Sequence, residues 1–101
     1  MTTKITLIID LPSDPEAFER AYVGVLAAAQ TLPGLQRLES AKVWPKEDGT
    51  PAPAHRTLDL YFASYEDASA AVTTPAAGDL FGRLGATGTS FTGLFTDVEQ
   101  V

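Results

Sequence analysis

His55, Tyr22 and Asp59 are the side chains of this 101-residue chain whose chemistry suits proton transfer to or from a small organic molecule. His55 is the only histidine, and imidazole is the side chain whose ordinary titration spans the physiological range. It opens the stretch "HRTLDLYFASYED" (55–67), between a proline-rich segment and an alternating run. A polar residue at a strand entrance is the simpler reading there, because no carboxylate or hydroxyl stands at a sequence spacing that would fix the ring. Tyr22, Trp44 and Tyr61 are aromatics with polar tips. They suit the lining of a pocket for an apolar or aromatic ligand, and equally the completion of a core, with Tyr61 the better fit to core or interface.

Several chemistries are excluded or unsupported. There is no cysteine, so disulfides, thiolate metal sites and a cysteine nucleophile are absent. No HExxH, Walker A, GxSxG or GxGxxG pattern occurs, and the glycines of "GRLGATG" read as turn chemistry. One histidine leaves only carboxylate-rich metal sites. The adjacent pairs Glu47-Asp48 and Glu66-Asp67 read as solvated or helix-capping residues, so neither a metal nor a cofactor is expected. Seven basic against thirteen acidic residues give a net charge of −6. With no Lys/Arg cluster, nucleic acid is not an expected partner. No run approaches the roughly 18 apolar residues of a membrane span, and the N-terminal apolar run is too short for a signal-peptide core. No membrane association is expected, and a cytoplasmic location is.

The elements that must position these groups follow from periodicity. "KITLIIDL" (4–11) puts Ile5, Leu7, Ile9 and Leu11 on one face, as a half-buried strand does. "SDPEAFERAYVGVLAAAQTLPG" (13–34) changes period. Asp14 caps, Pro15 suits the first helical position, and Phe18, Ala21, Tyr22, Val25, Ala28, Ala29 and Leu32 form an apolar stripe closed by Pro33-Gly34. Gly24, costly inside a helix, implies close packing, expected against the sheet. "LQRLESAKVW" (35–44) is a strand with two mixed faces, hence an edge. "PKEDGTPAPA" (45–54) is a loop. "RTLDLYFAS" (56–64) is the clearest strand. Ser64 with Asp67 then starts a helix over 65–74, followed by a short turn, "PAAGDLFGRL". "TSFTGLFTDVE" (89–99) is the last strand.

The order β-α-β-β-α-β predicts one domain over 1–101, an α+β ferredoxin-like fold with a four-stranded antiparallel sheet and both helices on one face. The opposite face, with Thr6, Ile8, Tyr61 and one apolar set from the last strand, is left bare. A half-apolar bare face on a small domain calls for a partner, and a second copy is the simplest.

The segments "DPEAFERAY", "LPGL", "LDLYFASYEDASAAVTTPAAGDLFGRL" and "ATGTSFTGLF", in this order and spacing, resemble the EthD-like proteins, named from ethyl tert-butyl ether degradation, of the dimeric α+β-barrel superfamily. The resemblance spans nearly the whole chain. It implies a homodimer whose sheets meet in a barrel with helices outside, and a cleft between helices and sheet. It also implies kinship with cofactor-free monooxygenases of aromatic polyketides and with muconolactone-isomerase-like enzymes. Many EthD-like proteins carry a His on the first helix, often followed by Pro, where "YVGVLAAAQTLPG" has Val25, Leu26 and Ala28. The expected function is binding of a small apolar or aromatic molecule, accessory to a degradation or secondary-metabolism pathway, with Tyr22, Leu26, Trp44 and Phe81 as the pocket wall. The alternative is a cofactor-independent monooxygenase or isomerase using His55, Tyr22 or Asp59. An interaction module that meets its partner through a sheet edge is a third reading.

Overall fold

A computed structural model describes residues 1–101. Seven elements follow in chain order: β1 (Thr3–Ile9), α1 (Pro15–Ala29), β2 (Arg37–Lys42), β3 (Arg56–Phe62), α2 (Tyr65–Ala71), α3 (Pro75–Ala86) and β4 (Phe91–Asp97). The strands form one antiparallel sheet ordered β2-β3-β1-β4. The two strands of most regular alternation hold its centre. Ile5, Leu7 and Ile9 of β1 and Leu58, Leu60 and Phe62 of β3 are all buried on the same face. The mixed strand β2 is an edge, as its pattern predicts, and β4 is the other. This is the α+β ferredoxin-like arrangement.

Local chemistry sets the helix starts. The Asp14 carboxylate accepts from the Ala17 N–H at 3.2 Å ahead of Pro15. Ser64 Oγ accepts from the Asp67 N–H at 3.1 Å, and Thr74 Oγ1 from the Ala77 N–H at 3.3 Å. The last contact corrects the expectation of a short turn after Thr74: residues 75–86 form a full helix. Pro75 is preset for its first turn, and Ala77, Leu80 and Leu84 recur at three- and four-residue spacing as a buried stripe. Gly24 also differs from expectation. A Cβ there would lie 3.2 Å from an Arg83 guanidinium nitrogen, so its close neighbour is α3 rather than the sheet. Gly34 closes the turn after α1 at φ +79, a backbone conformation that a Cβ disfavours.

All three helices cover one face. Seventeen buried residues fill the space between helices and sheet, including Phe18, Tyr22, Val25, Phe62, Leu80 and Leu84. The concave sites are grooves on the surface. No helix is long and apolar enough to cross a membrane.

The other sheet face has no helix on it. Registry places its side chains in three rows across the strands: Arg37, Tyr61, Lys4 and Thr96; then Glu39, Asp59, Thr6 and Leu94; then Ala41, Thr57, Ile8 and Thr92. Thr6, Ile8 and Tyr61 are where the pattern predicts, and Leu94 is the apolar contribution of β4. The face carries more charge than the pattern of β1 and β3 suggests, because β2 adds Arg37 and Glu39. Tyr61 is only 8% exposed, covered by the Arg37 guanidinium 4.1 Å from its ring centroid and by Lys4 Nζ at 5.7 Å.

Candidate functional site

A polar cluster forms where α1 crosses β2 and β3. Glu19 lies at its centre. Arg56 grips its carboxylate with two hydrogen bonds, Nε donating to Oε2 at 2.9 Å and an Nη donating to Oε1 at 2.6 Å. His55 Nε2 lies 3.1 Å from Oε2, and Lys42 Nζ 3.9 Å from Oε1. Arg56 also donates to Ser40 Oγ at 3.3 Å, and Ser40 Oγ is 2.8 Å from the Tyr22 hydroxyl. The Arg56 guanidinium sits 4.7 Å from the Tyr22 ring centroid. Phe18 stacks on Tyr22 at 5.4 Å and meets the His55 ring edge-on at 5.2 Å. The parts come from helix and sheet alike: Phe18, Glu19 and Tyr22 are one turn of α1, while Ser40, Lys42 and Arg56 stand on the helix-side face of their strands.

The environment assigns protonation states. The two hydrogen bonds from Arg56 hold the Glu19 carboxyl at about 2, with His55, the Arg56 charge and Lys42 adding to the effect against a partial burial that opposes it. Glu19 is therefore a carboxylate, an acceptor only, so His55 Nε2 carries the hydrogen between them. In the neutral form of the ring that leaves Nδ1 as a lone-pair acceptor. No fully buried side-chain nitrogen or oxygen lacks a partner, and Nδ1 has none within the chain, so it reaches solvent. A base oriented by a carboxylate, with its second nitrogen free, is the arrangement from which general-base chemistry is built. Burial raises the Tyr22 phenol above the usual range, partly offset by the hydrogen bond with Ser40 and the charge of Arg56.

The structure separates several residues that the sequence groups together. Tyr22, 2% exposed, is a core side chain with its hydroxyl tethered to Ser40 near β2. Phe81 stacks on Phe91 of β4 at 6.0 Å, at the opposite edge of the sheet from β2. Leu26 packs at the margin of the core. Trp44 is 85% exposed. It follows Val43, whose N–H donates to the His55 carbonyl at 3.1 Å, so the indole belongs to the His55 end of the sheet. Tyr22, Leu26, Trp44 and Phe81 thus do not enclose one cavity within a single copy. Asp59 accepts from Thr6 Oγ1 and faces Lys4 at 3.8 Å on the bare side, away from His55 and Tyr22. Glu47-Asp48 and Glu66-Asp67 do local work: Asp48 accepts from the Thr50 N–H and hydroxyl, and the Asp67 N–H is capped by Ser64.

Sequence reasoning missed Glu19, Ser40, Lys42 and Arg56. One signal was available. Arg56 is in phase with Leu58, Leu60 and Phe62, so a charge opens the buried face of the clearest strand, and such a charge requires a partner. That the partner is Glu19, 37 positions earlier, follows only from α1 lying across β3.

Fold and site together define a small ferredoxin-like α+β domain with a filled core, one bare sheet face and a carboxylate-anchored polar cluster at one sheet end. The chain belongs to one family with an uncharacterised protein of Rhodococcus erythropolis, and its fold is the one that EthD family structures have. It is 33% identical over 103 residues, covering 97% of this chain and 96% of the relative, to an uncharacterised 11.0 kDa protein of the thcB–thcC intergenic region of Rhodococcus erythropolis. An EthD family protein from Bacillus halodurans C-125 superposes with a TM-score of 0.88 at 16% identity, over 98% of this chain and 100% of that one. SnoaB, a cofactor-independent oxygenase from Streptomyces nogalater, superposes with a TM-score of 0.73 at 12% identity, over 99% and 95%. At such identities the structural likeness speaks for the fold alone. No protein-family model matches the sequence.

Proposed function

We propose that this chain is a homodimer that takes a small apolar or aromatic organic molecule at the His55 end of each sheet, accessory to a degradation or secondary-metabolism pathway. Trp44 carries this reading. It is the only tryptophan, 85% of it is exposed, and it follows Val43, whose N–H donates to the His55 carbonyl. A large amphipathic ring exposed to water at the same end of the sheet as oriented polar groups suits a partly apolar molecule. The pocket wall proposed from Tyr22, Leu26, Trp44 and Phe81 then reduces to Trp44 as the direct contact, with Tyr22 and Leu26 supporting α1 behind the cluster. The homodimer is supported by the uncovered sheet face with Ile8, Leu94 and Tyr61, and by the resemblance to EthD-like proteins.

Trp44 emission tests the ligand reading. Free protein should emit as a solvated indole, and a panel of aromatic and polyketide-like compounds should contain members that shift the band to the blue with saturation. A panel that leaves the emission unchanged removes the site. Sedimentation at working concentration tests the dimer, and a single 10.7 kDa species counts against it.

The second reading, a cofactor-independent monooxygenase or isomerase, is favoured by the Glu19-oriented imidazole. His55 is its one remaining proton-transfer candidate at this site, since the Tyr22 hydroxyl is buried on Ser40 and Asp59 belongs to the other face. His55→Ala should abolish any such activity, whereas Asp59→Asn should spare it. An activity that survives His55→Ala withdraws the assignment.

A further inference from the structure

The two edges of the sheet differ in how they meet water. β2 carries Arg37, Glu39 and Lys42 in six residues, the kind of charged edge that resists pairing with another strand. β4 has seven residues, no proline and one charge, Asp97, whose carboxylate accepts from the Thr3 hydroxyl at 2.8 Å. All of β4 but the half-buried Phe91 is exposed, since the sheet's core side chains come from β1 and β3. We propose that a second copy of this chain pairs antiparallel along the β4 edge, with Leu94 opposite Leu94 of that copy. This pairing deepens the homodimer reading, on which it rests, by naming the edge where the two sheets join.

Registry fixes which backbone groups are free. Val98 donates its N–H to the Thr2 carbonyl at 2.8 Å, and the Asp10 N–H reaches the Ser90 carbonyl at 3.0 Å, at the two ends of the β1–β4 ladder. Alternate residues of such a ladder turn their N–H and C=O toward the same neighbour. Thr92, Leu94 and Thr96 therefore face β1, while Phe91, Gly93, Phe95 and Asp97 present theirs outward, where β4 has no second neighbour. Pairing about a two-fold axis through Leu94 engages these four residues on each copy, with about eight backbone hydrogen bonds. A register shifted by two residues either way leaves strand ends unpaired.

Side chains agree with that register. In it Gly93 stands opposite Phe95 of the second copy, Thr92 opposite Thr96, and Phe91 opposite Asp97. Each Phe95 ring, 43% exposed and tilted on Tyr65 at 5.7 Å, then lies beside the glycine of the other copy, and an aromatic neighbour compensates a strand glycine for its missing side chain. Threonine pairs are favourable cross-strand neighbours, and no like charges oppose one another, since each Asp97 meets a Phe91. Leu94 belongs to the bare face, so edge and face are continuous and one second copy can cover both. A two-fold axis normal to the sheet does not exchange its sides, so the helices of both copies stay on one common face.

The chain has no cysteine, so introduced thiols report the pairing without background. Leu94→Cys should form a disulfide-linked dimer under mild oxidation, because residues opposed in a non-hydrogen-bonded pair have Cα atoms roughly 4.5 Å apart, within disulfide reach. Sheets that met only face to face would hold these positions about 10 Å apart, beyond it. Thr92→Cys alone should stay unlinked, whereas its mixture with Thr96→Cys should give the linked heterodimer. The unaltered chain supplies a readout that needs no variant. Its Phe91, Gly93, Phe95 and Asp97 amides should exchange with deuterium at least about tenfold more slowly at concentrations that populate the dimer than on dilution. A sedimenting dimer whose four amides exchange as an open edge, or whose Leu94→Cys form stays unlinked, overturns the β4 pairing and leaves the homodimer standing. A single 10.7 kDa species removes both.

Discussion

Replacing Glu19 with glutamine keeps the size of the side chain and removes the charge that Arg56, His55 and Lys42 share. In the folded protein the carboxyl titrates at about 2 instead of an ordinary 4.5. At about 1.4 kcal/mol per tenfold, that difference corresponds to about 3.4 kcal/mol of stability if wholly realised. The side chain is 31% exposed, and solvent screening brings the expectation down to about 1–2 kcal/mol. For a domain of this size the thermal midpoint should fall by roughly 4–15 °C near neutral pH. The sign follows from the direction of the shift. A depressed carboxyl contributes fully above its unfolded value, and the contribution disappears as pH falls from about 4.5 through about 2. The difference between wild type and Glu19→Gln should therefore be constant above pH ~5 and close over that acid window. Scanning calorimetry or urea unfolding of both proteins from pH 7 to 2.5 reads it, and the other carboxylates cancel in the difference. A gap that stays flat down to pH 2.5, or is absent at pH 7, would falsify the account of Glu19 as the anchor of the cluster.

Three further outcomes are expected. Long-range ¹H–¹⁵N spectra of the single histidine at mildly alkaline pH should show the Nε2–H tautomer, and Glu19→Gln should populate the other; a predominantly Nδ1–H ring in the wild type contradicts the Glu19–His55 geometry. Ultraviolet titration should show one tyrosine ionising above the usual phenol range, and that component should vanish in Tyr22→Phe, which also loses about 0.5–1.5 kcal/mol with the Ser40 hydrogen bond. Gly34→Ala should cost about 1 kcal/mol through its positive φ, since the nearest atom to a new Cβ, on Phe62, is an unstrained 3.8 Å away; a neutral result there would mean that the turn relaxes.

Periodicity and end signals lie in neighbouring residues, and they sufficed for the elements. Ile5, Leu7 and Ile9, Leu58, Leu60 and Phe62, and the stripe of α1 from Phe18 to Ala29 mark buried faces by spacing alone, and Asp14-Pro15 and Ser64 mark helix starts. The β-α-β-β-α-β order, read with the handedness rule, then leads to one sheet with a bare face. α3 was under-read because Pro75 at a first helical position looks like a breaker unless Thr74 is recognised as its cap.

What only the tertiary structure decided is which distant residues meet. Glu19 and Arg56 are 37 positions apart, and no local pattern relates them. They face each other because α1 crosses β2 and β3, which turns His55 from an isolated strand-entrance residue into an oriented imidazole. The same crossing consigned Tyr22 to the core, and the sheet order put Phe81 at the far edge. Registry between β2 and β3 stacked Arg37 on Tyr61. Hydrophobic spacing is written along the chain, whereas charge pairing across elements depends on how the buried faces dock, and that is a property of the whole fold.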